Sequence, residues 1–430
     1  MPNTETATKI PAEITGFPEL AEDRQSGAWP TRGAQNEAKA ARAAAYVDDG
    51  LRRELEAVRR ANAYALFPEV EVDTVGGHAT VEGVRQINFA QNDYLGLSTH
   101  RDVVGAMKAA IDRYGSSRCS SPLAGGYTPL HRELELLLAR TLEQGAVVLF
   151  ASGYQANVGL LSALADPDTT VVSDLFNHAS IIDGIRLAGA ELRPFKHNSV
   201  AHLAQILKSR PSRRLLVVVE GVYSADGDRA PIQEIVATSH KYGALCIVDE
   251  AHSLGVLGPH GRGAVADADA LADVDILTGT LSKSLASVGG FIATTSAMAD
   301  LIRHRARPLI FSASLPAAQA AAASEALKIS LEGLHLRTRL WSNKGLVAQR
   351  FRAAGLDTLT STTPIIPVLV GDKFRTFQAA SELRRRGVLV CPAVPPMVQN
   401  HLSRLRLHVT AAHSSDDVLA ATAEIIDVLG

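Results

Sequence analysis

Cysteine is scarce in this chain. Cys119, Cys246 and Cys391 are odd in number and show neither a Cys-x-x-Cys spacing nor a disulfide framework, which points to a reducing compartment. Cys246 lies inside the apolar run 244–248 and reads as core. No apolar run approaches the roughly 18 residues needed to cross a bilayer. The N-terminus carries Thr, Glu and Pro where a signal peptide needs a basic start and an apolar stretch, so a cytoplasmic location is expected. Neither charge is in excess: a formal net charge of −2 gives no electrostatic case for nucleic acid or an anionic membrane as partner. The short arginine runs at 213–214 and 384–386 read as solvated faces.

What is present is the balance of a soluble globular protein, 46% hydrophobic and 20% charged over 430 residues. That length exceeds one ordinary core and implies a large domain plus a smaller one. Residues 1–36 are polar and without periodicity, as in a flexible arm, and helical spacing begins over 36–63. Apolar runs then recur at 145–151, 169–174, 215–220, 244–249, 276–279 and 289–294, most of them separated by helix-like segments. Continuous rather than alternating apolar strands imply burial on both faces, hence an α/β fold with a mostly parallel sheet between helices. From about 315 the pattern changes to an Ala- and Leu-rich helix (315–356), a strand 365–370, a helix 375–386 and a strand 388–391. A period-two strand follows at 404–410, with Arg404, Arg406 and His408 on one face, and a helix at 415–429 ends the chain. The expected division is 1–90 as N-terminal arm and helix, 91–315 as large domain and 316–430 as small domain.

Ligands of doubly wound sheets bind outside the carboxyl ends of the strands, so the polar residues there carry the information. Ser152 and Gly153 open a helix and offer free N–H groups to a phosphate, although a plain Ser cap explains them as well. His178 follows the second run and could stack on an aromatic ring or move a proton. Glu220 and Ser224 share an edge after the third, in what could equally be a Gly/Asp-rich turn. Asp249 ends the strand 244–248 and needs a cationic partner there to stay ionised. A metal shared with His252 lacks a third ligand at suitable spacing. A pyridinium N–H would serve, with Asp249 strengthening that ring as an electron sink and His252 near its hydroxyl or the substrate. Lys283, flanked by Ser282 and Thr280, becomes a Schiff-base lysine if desolvation lowers its pKa, and the two hydroxyls can donate to phosphate. An ordinary loop lysine is the plainer reading of Lys283 by itself. An Asp one strand–helix unit before a Thr/Ser-flanked Lys is the arrangement expected of a fold-type I pyridoxal-5′-phosphate (PLP) site.

With these residues in order, the sequence over roughly 60–430 resembles the α-oxoamine synthases, which include 8-amino-7-oxononanoate synthase, 2-amino-3-ketobutyrate CoA ligase, 5-aminolevulinate synthase and serine palmitoyltransferase. The resemblance rests on Asn-Asp-Tyr-Leu-Gly-Leu-Ser at 92–98, Ser-Gly-Tyr-Gln-Ala-Asn at 152–157, Asn-His-Ala-Ser at 177–180 and Glu-Gly-Val-Tyr-Ser at 220–224. It continues in Val-Asp-Glu-Ala-His-Ser at 248–253, Thr-Gly-Thr-Leu-Ser-Lys at 278–283, Phe-Ser-Ala-Ser-Leu-Pro at 311–316 and Arg-Leu-Arg at 404–406. It implies fold type I and a PLP Schiff base at Lys283, with Asp249 on the pyridine nitrogen and His178 on the ring face. Ser224 and His252 would approach the ring hydroxyl and substrate. The backbone at Gly153 and Tyr154, with Ser152, Thr280 and Ser282, would hold the phosphate. Arg406 would grip the amino-acid carboxylate, with Asn92 near the substrate. A homodimer with shared sites is implied, in which Ser312 and Ala313 approach the partner's phosphate.

Three departures fall around the substrate entrance. Cys-Ser-Ser-Pro stands at 119–122 where the family has Gly-Gly-Ser-Arg, Gly-Tyr-Thr at 126–128 replaces Gly-Thr-His, and Val-Pro-Pro at 394–396 replaces Arg-Pro-Pro. The reaction implied is a decarboxylative condensation of Gly, Ala or Ser with an acyl thioester carried by CoA or by an acyl-carrier protein. A PLP aminotransferase, or an aldol-type lyase, would use the same ring machinery. A non-enzymatic relative would show damage at Lys283, Asp249 or His178, and all three are intact.

Overall fold

The structure is a computed structural model that describes residues 43–44, 46, 48–61, 63–73, 76–209 and 214–430. The expected flexible arm over 1–36, the opening of the helical stretch 36–63, and Arg213 lie outside the described residues. The chain divides into a unit ending at Arg60 and a second unit from Ala61 to Gly430. In the first, the helix Asp49–Arg60 is capped by the Asp48 carboxylate, which accepts from the Leu51 N–H at 3.0 Å. Arg52 reaches Asp49 at 3.2 Å and Glu56 at 3.3 Å along the same helix, the spacing at which helical side chains meet.

The second unit opens with a meander, β1 (Val70–Val72), β2 (His78–Val81) and β3 (Val84–Asn88). The large sheet follows: β4 (Ala146–Phe150), β5 (Thr169–Asp174), β6 (Glu191–Phe195), β7 (Arg214–Glu220), β8 (Leu245–Asp249), β9 (Ile276–Thr280) and β10 (Gly290–Thr294). Their order is β4-β10-β9-β8-β7-β5-β6, parallel except for β10, which runs against both neighbours. Alternate residues of each strand enter different cores. On β7, Val217 and Val219 join one cluster with Cys246, Val248 and Leu277. Leu216 and Val218 join the other, with Ile247, Ile276 and Ile292. Burial on both faces is why these strands read as unbroken apolar runs.

The C-terminal part holds β11 (Ile365–Gly371), β12 (Val388–Leu389), β13 (Cys391–Ala393) and β14 (Ser403–His408). The expected single strand over 388–391 is corrected: β12 pairs in parallel with β3, whereas β13 pairs antiparallel with β14. The chain crosses from one sheet to another at Val390, so one apolar run serves two partners. The expected helix over 315–356 is two helices, Ala317–Glu332 and Leu334–Ala353, which meet at Gly333. The helix Ser415–Leu429 carries a capping box between Ser414 and Asp417. Among the described residues no helix is long and apolar enough to cross a membrane.

Candidate active site

The chemistry-bearing residues follow the carboxyl ends of β4, β5, β7, β8 and β9, on the edge where ligands of such sheets bind. β4 turns into the helix Gly153–Leu164 through Ser152, whose hydroxyl caps the helix by accepting from the Gln155 N–H at 3.1 Å. This turn is pressed against the start of β10 and the end of β9. A Cβ on Gly290 would stand 2.5 Å from the backbone N of Gly153, and one on Gly153 would stand 3.2 Å from the Thr280 hydroxyl. Only hydrogen fits at Gly290, and a side chain at Gly153 would crowd Thr280. The free N–H groups of a helix start therefore lie beside the hydroxyls of Thr280 and Ser282, which are 2.7 Å apart. Helix-start N–H groups with neighbouring hydroxyls are donors a phosphate can use, although the Thr280 hydroxyl here donates to the Gly289 carbonyl at 2.9 Å.

Asp249 ends β8 in register with Glu220 on β7 and Thr278 on β9. Asn157 donates one N–H to Asp249 at 2.7 Å and another to Ser180 at 3.0 Å, while the Ala251 N–H serves the other Asp249 oxygen at 2.9 Å. Ser180 lies 2.7 Å from Nδ1 of His178, and that nitrogen also accepts from the Ser180 N–H. Nδ1 of His178 is thus an acceptor. Burial lowers the His178 pKa, so the neutral ring carries its proton on Nε2. The His178 backbone N–H binds Glu220 at 2.6 Å. Burial first, and then the neighbouring charge of Asp249, raise the Glu220 pKa well above the usual carboxylate range.

Lys283 follows β9, and burial brings its amine down to about 8 against the pull of Asp249 and Glu220. A free amine is thereby accessible near neutral pH, as a Schiff-base lysine requires. His252 is buried, with Nδ1 2.8 Å from the Tyr94 hydroxyl. Its pKa is held well below the ordinary value by burial and by Lys283 and His408. Arg406, on β14, donates to the Ser224 carbonyl at 3.3 Å and lies 3.7 Å from the Cys391 sulfur. Arg406 Nε and Asn92 Oδ1 are buried without a partner among the described residues. Next along the strand, Arg404 pairs with Asp226 and fixes the loop that carries Ser224.

Lys283, Asp249, His178, Glu220 and Arg406 are thus brought within electrostatic reach of one another. Tyr154 presents its ring edge to His178, centroids 6.4 Å apart, and its hydroxyl is held by Asp183. Ser312 is part-buried, with its hydroxyl on the Ala313 carbonyl. The segment bearing the Cys119 departure docks on this region: the Ser314 N–H meets the Ser120 carbonyl at 2.9 Å. Asn157, Ser180 and Tyr94 carry parts of the site that strand-end reading does not single out. Each lies inside a motif already quoted, but its partner is far along the chain or, for Ser180, on a neighbouring element, so position within the motif was the only signal.

The donor set fits PLP. It offers a backbone-lined phosphate cradle, a carboxylate at a strand end for a pyridinium, a histidine for the ring face and a desolvated lysine. Residues 84–425 match the family model for aminotransferase class I and II. The chain is 37% identical to a serine palmitoyltransferase of Bacteriovorax stolpii over 86% of its own length and 90% of that protein. It is 39% identical to an 8-amino-7-oxononanoate synthase of Acidithiobacillus ferrooxidans, over 89% and 99%. Among solved structures, serine palmitoyltransferase from S. paucimobilis with a bound PLP–myriocin aldimine superposes with a TM-score of 0.85 at 32% identity, over 88% of this chain and 96% of that one. The 8-amino-7-oxononanoate synthase of Francisella tularensis gives 0.70 at 27% identity, over 80% and 97%. The chain belongs to the aminotransferase class I and II family and, within it, to the PLP-dependent α-oxoamine synthases of fold type I.

Proposed function

We propose that this enzyme condenses a small amino acid (Gly, Ala or Ser) with an acyl thioester and releases CO2, free thiol and an α-aminoketone. The observation that carries the reading is the grouping of the desolvated Lys283 amine with Asp249 and Arg406 at one sheet edge. PLP, when bound, supplies an electron sink for charge developing at the substrate Cα. Asp249, steadied by Asn157 and the Ala251 N–H, holds the proton of the pyridine nitrogen. His178 covers the ring face, and Thr280, Ser282 and the backbone at Ser152, Gly153 and Tyr154 hold the phosphate. Arg406 grips the carboxylate, with Asn92 and Ser224 beside it, so that the Cα–H bond is oriented for removal. Lys283 Nζ takes that proton. Cα then bonds to the thioester carbonyl carbon while the C–S bond breaks, and the thiolate leaves and takes a proton from solvent. The bond from Cα to the original carboxylate breaks with loss of CO2, and Lys283 returns the proton to Cα.

The reading extends to a homodimer in which Ser312 and Ala313 reach the partner's phosphate, and to either CoA or an acyl-carrier protein as thiol. Two lobes, 91–315 and 316–430, would enclose the substrates. The test is a matrix of glycine, alanine and serine against short, long and dicarboxylic thioesters on both carriers, with thiol and CO2 measured together. Equal release of the two is expected. Thiol release without CO2 overturns the decarboxylative step, and conversion of the cofactor to its pyridoxamine form by an amino acid alone would indicate transamination.

A further inference from the structure

Tyr94 is fully buried, and its hydroxyl has one hydrogen-bond partner among the described residues, Nδ1 of His252 at 2.8 Å. The two rings meet at 69° with centroids 6.2 Å apart. Tyr94 also meets His408 on β14, with ring centroids 6.1 Å apart and planes at 83°. Tyr94 comes from the segment after β3 and His252 from the loop after β8. The groups whose charge bears on His252 are Lys283 after β9, Arg406 and His408 on β14, and His178 after β5.

The shared proton can be arranged in two ways. If Nδ1–H donated to the phenol oxygen, the phenol's own proton would be a buried donor with no acceptor, which native structures avoid. An imidazolium has the same fault and adds a positive charge near Lys283 and Arg406. If the phenol donates to Nδ1, both groups are satisfied, and the proton of the neutral ring lies on Nε2, the nitrogen left for cofactor and substrate.

We propose that Tyr94 is a positioning residue, whose hydroxyl donates to Nδ1 and fixes His252 as a neutral Nε2–H donor. This rests on the condensation reading for its catalytic meaning, although the tautomer itself does not. One consequence concerns proton traffic. For His252 to give up its Nε2 proton, the Tyr94 proton would have to pass to Nδ1 and leave a buried phenolate. Burial acts against that phenolate, since it raises the pKa of Tyr94. His252 therefore orients a departing carboxylate or a carbonyl oxygen by donating a hydrogen bond that it keeps, and the proton returned to Cα comes from Lys283.

The experiment is long-range 1H–15N correlation spectroscopy on the full chain labelled with [15N]histidine, with and without PLP, the His252 signals being identified by their loss in His252→Asn. The expected pattern has Nε2 protonated and Nδ1 unprotonated in both forms between about pH 6 and 8. In Tyr94→Phe that bias is expected to disappear, and kcat to fall roughly tenfold while the amino-acid KM stays within about twofold. An Nδ1–H or doubly protonated ring in the unsubstituted enzyme overturns the proposal, as does an unchanged pattern in Tyr94→Phe. The spectrum of the unsubstituted enzyme decides the tautomer even if the variant does not fold. Because it does not depend on turnover, it also stands apart from failure of the condensation assay.

Discussion

Lys283 is useful because of where β9 stops. Its amine reaches about 8 by burial, with Asp249 and Glu220 pulling the other way, and the free base is the nucleophile toward an aldehyde. The rate at which the cofactor-free chain captures PLP should therefore rise with pH up to about 8 and level off above it. Stopped-flow absorbance at several pH values checks this, and a flat profile would contradict the assigned environment. Lys283→Ala should retain no cofactor after borohydride reduction and should lose roughly a thousandfold or more in turnover. Asn157 tests the support rather than the lysine. Asn157→Ala leaves Asp249 and Ser180 without a shared donor, so the PLP dissociation constant should rise roughly tenfold, measured by fluorescence titration. Lys283, Asp249 and His178 were legible in the sequence because each follows an apolar run at its strand's exit. Asn157 and Tyr94 were not singled out, because their roles depend on what faces them across the sheet edge, which spacing along one chain does not encode.

At the scale of elements, the exits of β5, β6 and β7 are tied by one histidine. His197 bridges Asp174 at 2.9 Å and Asp228 at 2.8 Å and stacks on Phe176. Asn198 adds bonds to both carboxylates. Burial disfavours protonation of His197, but the two carboxylates prevail and raise it to about 9. A raised folded-state value means that the clamp's contribution is complete below the unfolded value of roughly 6.5. It is lost as pH climbs through about 9. The urea midpoint should accordingly fall between those limits, and His197→Gln should flatten that dependence; an equal slope in both proteins would show that the clamp does not titrate as described. β6, which His197 follows, is an edge strand, and its Glu-Leu-Arg-Pro-Phe has no apolar run to reveal it. Proline is tolerated at such an edge because it has no N–H to give to a ladder. The split of 388–391 was hidden for the opposite reason: its residues are uniformly strand-like, and only the facing partners divide them between two sheets.

Across the whole molecule, the C-terminal sheet is locked to the large one at the turn 225–228. The Gly227 carbonyl accepts from the N–H groups of Thr362 and Thr363 and from the Thr363 hydroxyl. A Cβ at Gly227, which has φ +70°, would strike the Ile365 carbonyl at 2.2 Å. Arg404 is 4% exposed and is paired with Asp226. Removing one member of a buried pair strands the other, at about 3–5 kcal/mol. Arg404→Met should thus lower unfolding stability by about 3 kcal/mol and raise the amino-acid KM, whereas a loss below about 1 kcal/mol would mark an ordinary surface pair. The alternation of Arg404, Arg406 and His408 was legible as one face of a strand; what that face grips became visible only in the fold. Those three side chains have three partners: Arg404 pairs with Asp226, Arg406 donates to the Ser224 carbonyl, and His408 packs against Tyr94. Because a slip of one residue turns every side chain of a strand over, inserting or deleting a residue in β14 would disconnect all three together. Variation there is confined to replacing side chains in place.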